Sequence, residues 1–170
     1  MKKFFKSLLF SFIVFILILI YAVIHNQFTY AISPEIFTEL FFIRFGFVEY
    51  GTDTPRLSAS IIGIWAILFI AFLISTLYFV ATLLLKPKFK IVIRAIQIHL
   101  ITTIVIGLTG LLFGYVFWDN SVFPNHIPID VINYKNYSAG MHMHGFSHTG
   151  GFIGIIFSFI YLYKNRNSNS

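Results

Sequence analysis

The chain of 170 residues contains no cysteine. That absence excludes disulfide bonds, thiolate metal sites, covalent haem attachment through CxxC and a cysteine nucleophile. Charged residues are also scarce, at 11% of the chain, whereas a soluble domain usually carries about a quarter. This small amount of polar surface could not coat a water-soluble globule. We therefore expect the chain to lie in a lipid bilayer.

Four long apolar stretches fill most of the sequence, at about residues 7–24, 58–85, 91–117 and 138–163. A helix needs about 17–25 residues to cross the hydrocarbon core, so each stretch is long enough to span it. The first follows three lysines, as a secretory signal would, but it is longer than the usual apolar core of a signal peptide. We therefore predict one all-α domain over residues 1–170, a four-helix transmembrane bundle with an uncleaved first helix.

Charge is distributed unevenly among the segments that join these spans. Nine of the twelve Lys and Arg residues lie at the N-terminus, in the 86–94 turn and in the C-terminal tail, whereas all six acidic residues lie in the other two loops. Positive residues are enriched on the cytoplasmic side of membranes. The pattern predicts a multi-pass protein of a bacterial inner membrane with both termini cytoplasmic. Anionic lipid then accounts for the net charge of +6 without a nucleic-acid partner.

The first outer loop, residues 26–57, contains the signals of a short helix. Ser33-Pro34-Glu35 is typical of a helix N-terminus. The apolar residues that follow recur at helical spacing and form one stripe: Ile36, Phe37, Leu40 and Phe41. We predict a short amphipathic helix at the membrane surface or over the mouth of the bundle.

Histidines are concentrated at one end of the predicted bundle. Five of the six lie on the predicted outer side: His25, His126, His142, His144 and His148. Imidazole is a common ligand of zinc, copper and haem iron. His144 and His148 share one face of a regular helix, whereas His142 points about 160° away from His144. Gly140 and Gly145 could let the first turn unwind and bring His142 round.

These residues leave three functions open. In the first, a transition metal (zinc or copper) or haem is bound at the outer end by a His/Glu cluster of His25, Glu35, His142, His144 and His148. Further ligand candidates are His126, Asp119 and Asp130. In the second, the histidines only form hydrogen bonds, and the protein is a cofactor-free structural or assembly subunit. The third is a small channel or a lipid-binding protein with Phe-rich walls.

His99 is separate, because it lies within the third span. An ionisable residue at that depth is a functional candidate. The plainer interpretation is a neutral histidine that is hydrogen-bonded to a hydroxyl of a neighbouring helix, such as that of Thr82 or Ser75. No carboxylate lies within any span, and no GxSxG, HExxH or P-loop motif is present. The sequence therefore nominates no catalytic residue and leaves open whether the protein is an enzyme.

Glycines spaced by four residues lie on the last two spans, as Gly110 with Gly114 and Gly150 with Gly154. Small residues let helix backbones approach closely in lipid. We expect spans three and four to contact each other through these faces. Alternatively, one such face forms a homo-oligomer or binds a membrane-protein partner.

Two segments resemble a family of small uncharacterised bacterial membrane proteins with four spans. The family pattern has His-Asp-Gln after the first span, Glu-Tyr-Phe-Thr in the first loop and His-x-x-Ser in a glycine-rich last helix. The matching residues are His25, Gln27, Glu35, Phe37, Thr38, His144, Ser147, Gly150 and Gly151. Asn26 stands where the family has Asp, and Ile36 where it has Tyr. The resemblance implies no established activity, but it singles out His25, Glu35 and His144 as residues that meet in space.

Overall fold

The computed structural model describes residues 2–118 and 130–167, and this part of the chain is helical with no strand. The elements in chain order are α1 (Lys2–Ile32), a π-helical turn (Phe37–Phe41), α2 (Phe42–Phe45), α3 (Val48–Asp53), α4 (Pro55–Leu85), α5 (Phe89–Val116) and α6 (Tyr134–Asn165). The four long helices, α1, α4, α5 and α6, are long and apolar enough to cross a membrane. The predicted all-α bundle of a multi-pass membrane protein is confirmed.

The first and last long helices extend past the predicted spans at the end of the bundle that carries the acidic loops. α1 continues through Ile32 instead of ending near residue 24, and α6 begins at Tyr134 instead of near residue 138. The extension of α1 is stabilised by buried polar groups that find partners, since the Asn26 amide donates to the Ala59 carbonyl at 2.9 Å. His25 therefore lies within α1, whereas the sequence predicted that it ends the first span.

The bundle consists of two closely packed helix pairs. α1 packs along α4, and α5 packs along α6, whereas contacts between the pairs are sparse. Glycines permit the close approach of α5 and α6. A Cβ added at Gly114 would lie 2.5 Å from Cα of Ala139, and one added at Gly154 would lie 2.7 Å from Cδ2 of His99.

All four glycines of the two spaced pairs are buried: Gly110, Gly114, Gly150 and Gly154. An added Cβ at each would meet atoms of the opposite helix of this pair. The expected contact between spans three and four is therefore confirmed. A homo-oligomer or a partner bound through the same glycines stays a prediction.

Two apolar clusters close the bundle at its two ends. The basic-end cluster lies near the 86–88 turn and combines all four long helices: Phe10, Val14, Ile18, Ala71, Ile74, Tyr78, Ile91, Val92, Ala95, Ile96 and Leu162. The acidic-end cluster joins the loop segment to the starts of α4 and α6: Ile36, Phe37, Phe42, Ala59, Ile62, Val131 and Tyr137. Between them, the two helix pairs separate and leave a cavity.

The loop segment between α1 and α4 covers the acidic end of the bundle. Ile36 and Phe37 are both 0% exposed, so the predicted apolar stripe faces inward. The helix is short because Gly46 ends α2 with φ of 70°, a left-handed conformation that glycine adopts without steric cost. The predicted short helix is present, and it lies over the mouth of the bundle.

Candidate functional site

The cavity between the two helix pairs has a volume of about 440 Å³ and is lined by all four long helices and by α2. α4 contributes from Ile62 to Ile74, which corresponds to about 18 Å of helix at 1.5 Å per residue. Most of its walls are apolar, including Ile67, Ile70 and Leu100. A cavity of this size lies in the range of small-molecule sites, about 300–1,000 Å³.

Four side chains of α1 and α6 form a hydrogen-bonded chain on one wall of the cavity. Nε2 of His25 lies 3.3 Å from Nδ1 of His144, and Nδ1 of His25 lies 3.5 Å from the Tyr21 hydroxyl. That hydroxyl donates to Oγ of Ser147 at 3.2 Å, which closes the chain back to α6. We call Tyr21, His25, His144 and Ser147 the polar cluster.

Helical spacing aligns the members of the polar cluster on each helix. Tyr21 and His25 are four residues apart on α1, and His144 and Ser147 are three apart on α6, so each pair shares a face. Gly107 of α5 faces Ser147 and leaves room for its side chain, since an added Cβ would collide with the Ser147 hydroxyl. The local sequence therefore places all four side chains between the helix pairs.

His144 lies at the centre of this wall. Its ring meets the His25 ring edge to face with centroids 4.5 Å apart, and the Phe41 ring edge to face at 5.3 Å. Its Nε2 is buried and makes no hydrogen bond to the described residues. Burying an unpaired polar nitrogen costs free energy, so this atom is a natural hydrogen-bonding point for a bound molecule.

The mouth of the cavity is marked by its exposed lining residues. Trp65 of α4 and Phe152 of α6 are 56% and 57% exposed and line it from the two helix pairs. His148 and Arg44 are also exposed and line the cavity. The opening therefore lies between α4 and α6 on the apolar outer surface of the bundle, toward the acidic end.

Two of the predicted metal ligands point away from the polar cluster. The Glu35 carboxylate accepts hydrogen bonds from the backbone N–H groups of Ile132 at 2.7 Å and of Asn133 at 3.3 Å, just before α6. His142 donates from Nδ1 to the Ser138 carbonyl at 2.8 Å, and its ring packs against Phe113 of α5. α6 is helical through Gly140 and Gly145, so the unwinding considered for His142 does not occur.

The structure thus brings His25 and His144 together, and His148 lines the same cavity. Glu35 is held away from them by the backbone that precedes α6. Within residues 2–118 and 130–167, no group of three or more His, Asp or Glu side chains is arranged to hold a metal ion. Asp130 is described and exposed. The further ligand candidates His126 and Asp119 lie outside the described residues.

His99 lies in the same cavity, toward the basic end. It is 4% exposed, and its Nδ1 lies 3.4 Å from the Tyr78 hydroxyl. The predicted serine and threonine partners instead donate within their own helix, Ser75 to the Phe72 carbonyl and Thr82 to the Tyr78 carbonyl. The hydroxyl beside His99 therefore belongs to a tyrosine.

Sequence reasoning overlooked Tyr21 and Arg44 as site residues and gave Ser147 no role. The spacing of Tyr21 from His25 was available as a signal, because residues four apart share a helix face. Arg44 gave no such signal, since its place at the cavity depends on how α2 folds over the bundle.

Comparisons with protein-family models, curated proteins and solved structures find no match. The resemblance to small bacterial membrane proteins stays a prediction, and the function is argued from the geometry of the site.

Proposed function

We propose that this membrane protein binds an amphipathic molecule from the lipid phase, with the polar group of that molecule at the polar cluster. The observation that carries the proposal is a cavity with apolar walls and one hydrogen-bonding wall, open between α4 and α6. An apolar site with a few converging polar groups is the usual form of a small-molecule site. The opening on the lipid-facing surface favours a ligand that is dissolved in the bilayer.

The two apolar clusters favour a binding site over a channel. A conducting pore needs a polar or wettable path through both ends of the bundle. Here all four long helices meet in the basic-end cluster, where Tyr78, Val92 and Leu162 are completely buried. The loop segment covers the other end with Ile36 and Phe37. A cavity closed at both ends and open at its side suits a lipid-soluble ligand.

The polar cluster can adapt to either a donor or an acceptor on the ligand. A neutral imidazole carries its proton on either nitrogen, and a hydroxyl both donates and accepts. The chain from Ser147 through Tyr21 and His25 can therefore reverse its direction, and Nε2 of His144 changes role with it. Hydroxyl, carbonyl and phosphate groups all meet this requirement.

His144→Phe tests the proposal, because it keeps a ring of similar size while it removes both nitrogens. The protein is purified in mild detergent, and co-purifying lipids are extracted and quantified by mass spectrometry. We expect the wild type to retain a lipid at near one per chain and His144→Phe to retain at least about tenfold less. His142→Phe is the matched control, since it makes the same change on the other face of α6. A wild type without lipid, or equal retention in both variants, contradicts the proposal.

A second candidate function is binding of a small transition-metal ion, and the spacing of the histidine pair favours it. Zinc–nitrogen bonds of about 2.0–2.1 Å in tetrahedral geometry place two ligand nitrogens about 3.3 Å apart. The His25 and His144 nitrogens have this separation, and a bound ion would replace the proton of the hydrogen bond between them. His148 follows His144 at the same face of α6. Haem fits less well, because the two rings touch edge to face and leave no space for a porphyrin between them.

Calorimetric titration of the lipid-free protein with Zn²⁺ or Cu²⁺ tests this second candidate. Uptake that is lost in both His25→Ala and His144→Ala supports it, and a wild type that binds neither ion contradicts it. A protein that retains neither lipid nor metal instead fits a cofactor-free structural or assembly subunit.

A further inference from the structure

Arg44 is the only residue with a permanent charge among the described residues that line the cavity. It is exposed and forms no ion pair with a described carboxylate. An arginine keeps its charge at every physiological pH. The lining of a largely apolar cavity therefore carries one positive charge and, among the described residues, no carboxylate.

α2 places Arg44 on the same cavity as the polar cluster. Arg44 follows Phe41 by three residues, and Phe41 is the ring that touches His144. Phe41 and Phe45 both line the cavity, so Arg44 lies between two residues that belong to its wall. His148 of α6 lines the same mouth. The lining of one cavity therefore includes an arginine of α2 and imidazoles of α1 and α6.

Arg56, at the start of α4, is the other arginine near this end of the bundle, and it has partners inside the protein. Arg56 donates from Nη1 to the side-chain carbonyl oxygen of Gln27 at 3.2 Å, and its guanidinium lies 5.1 Å from the centre of the Tyr30 ring. It does not line the cavity. The two arginines thus differ, because among the described residues Arg56 has side-chain partners and Arg44 has none.

We infer that the ligand is an anionic amphipath, a lipid with a phosphate headgroup, and that Arg44 and the imidazole wall bind the phosphate; the inference rests on the proposed function. A guanidinium offers paired N–H donors that match phosphate oxygens, and such charge-assisted hydrogen bonds are the stronger kind. The apolar face of α4, with Ile67, Ile70 and Ile74, then contacts the hydrocarbon chain. A lipid without a phosphate would leave the guanidinium unpaired beside its headgroup.

The experiment compares two lipids with the same acyl chains, phosphatidylglycerol, which carries an anionic phosphate, and diacylglycerol, which lacks it. Delipidated protein is titrated with each in detergent, and bound lipid is counted by native mass spectrometry. We expect the wild type to prefer phosphatidylglycerol about tenfold, the effect of one charge-assisted contact. Arg44→Gln should bind both lipids equally, whereas Arg56→Gln should keep the wild-type preference.

The arms of the experiment separate the sources of failure. Equal preference in the wild type and Arg44→Gln overturns the inference, while lipid binding that depends on His144 still supports the proposed function. No binding of either lipid overturns both. Inorganic phosphate is added as a third probe. If millimolar phosphate displaces the lipid from the wild type but not from Arg44→Gln, the phosphate assignment holds. If phosphate binds and no lipid does, the site takes a soluble anion and the lipid assignment is wrong.

Discussion

Asn26 shows what one polar side chain does between the helices of this bundle. It is 5% exposed, and its amide nitrogen donates to the Ala59 carbonyl at 2.9 Å. Gly63 leaves room for it, because an added Cβ there would lie 2.9 Å from the amide nitrogen. The interaction requires a donor, which an ionised aspartate lacks. The asparagine at this position therefore joins α1 to α4, whereas the resembling family has an aspartate there.

We predict that Asn26→Asp destabilises the protein by about 1–3 kcal/mol, because it replaces the donor of this buried hydrogen bond with a carboxylate that faces the Ala59 carbonyl oxygen. Gln27→Glu is the control at the next position. Its amide also donates to α4, but a carboxylate there gains a partner in Arg56, so its effect should stay within about 0.5–1 kcal/mol. Thermal unfolding in detergent measures both. An Asn26→Asp variant as stable as the control contradicts this account.

At the scale of single elements, α5 and α6 pack closely because small residues line their contact. An added Cβ at Gly154 would lie 2.8 Å from the His99 carbonyl oxygen, which belongs to the backbone and cannot rotate away. Gly145 on the same helix meets nothing within 4 Å. Glycines of one helix thus differ in what a methyl group would do.

Gly154→Ala should lower stability by about 1–3 kcal/mol through overpacking. Gly145→Ala should be neutral or slightly stabilising, since alanine favours a helix over glycine by about 1 kcal/mol. Thermal melting of both variants in the same detergent provides the comparison. If the two substitutions shift the melting temperature equally, the contact of α5 with α6 is not the reason for the glycine at 154.

The elements were predictable from the sequence to different degrees. Apolar length predicts the four spans, and glycine spacing predicts the contact of the last two, because both properties are local to one helix. The meeting of His25 with His144 was one of the options left open for a site at the outer end, and the resemblance singled out the same pair. Its geometry depends on how the α1–α4 pair lies against the α5–α6 pair, which no spacing within one helix specifies. The place of Arg44 at the cavity depends on the same arrangement, because α2 carries Arg44 over the bundle.

Charge asymmetry describes the whole molecule and leads to a prediction of its orientation. Most of the lysines lie at one end of the bundle, while the described acidic residues lie at the opposite end, where Lys135 is the one described lysine. Because the parent chain has no cysteine, single cysteines at Asp53→Cys and Asn167→Cys can report each end. We expect a membrane-impermeant maleimide to label only Asp53→Cys in intact cells, and both after permeabilisation. Labelling of Asn167→Cys in intact cells would reverse the assigned orientation.

The pairing of α1 with α4 and of α5 with α6 also follows the order of synthesis. The first pair is complete before the ribosome has made α5, and N-terminal units of a chain generally fold first. The cavity is complete only when α6 is present, because His144, Ser147 and His148 belong to that helix. Under the proposed function, a lipid would therefore be bound only after translation of α6.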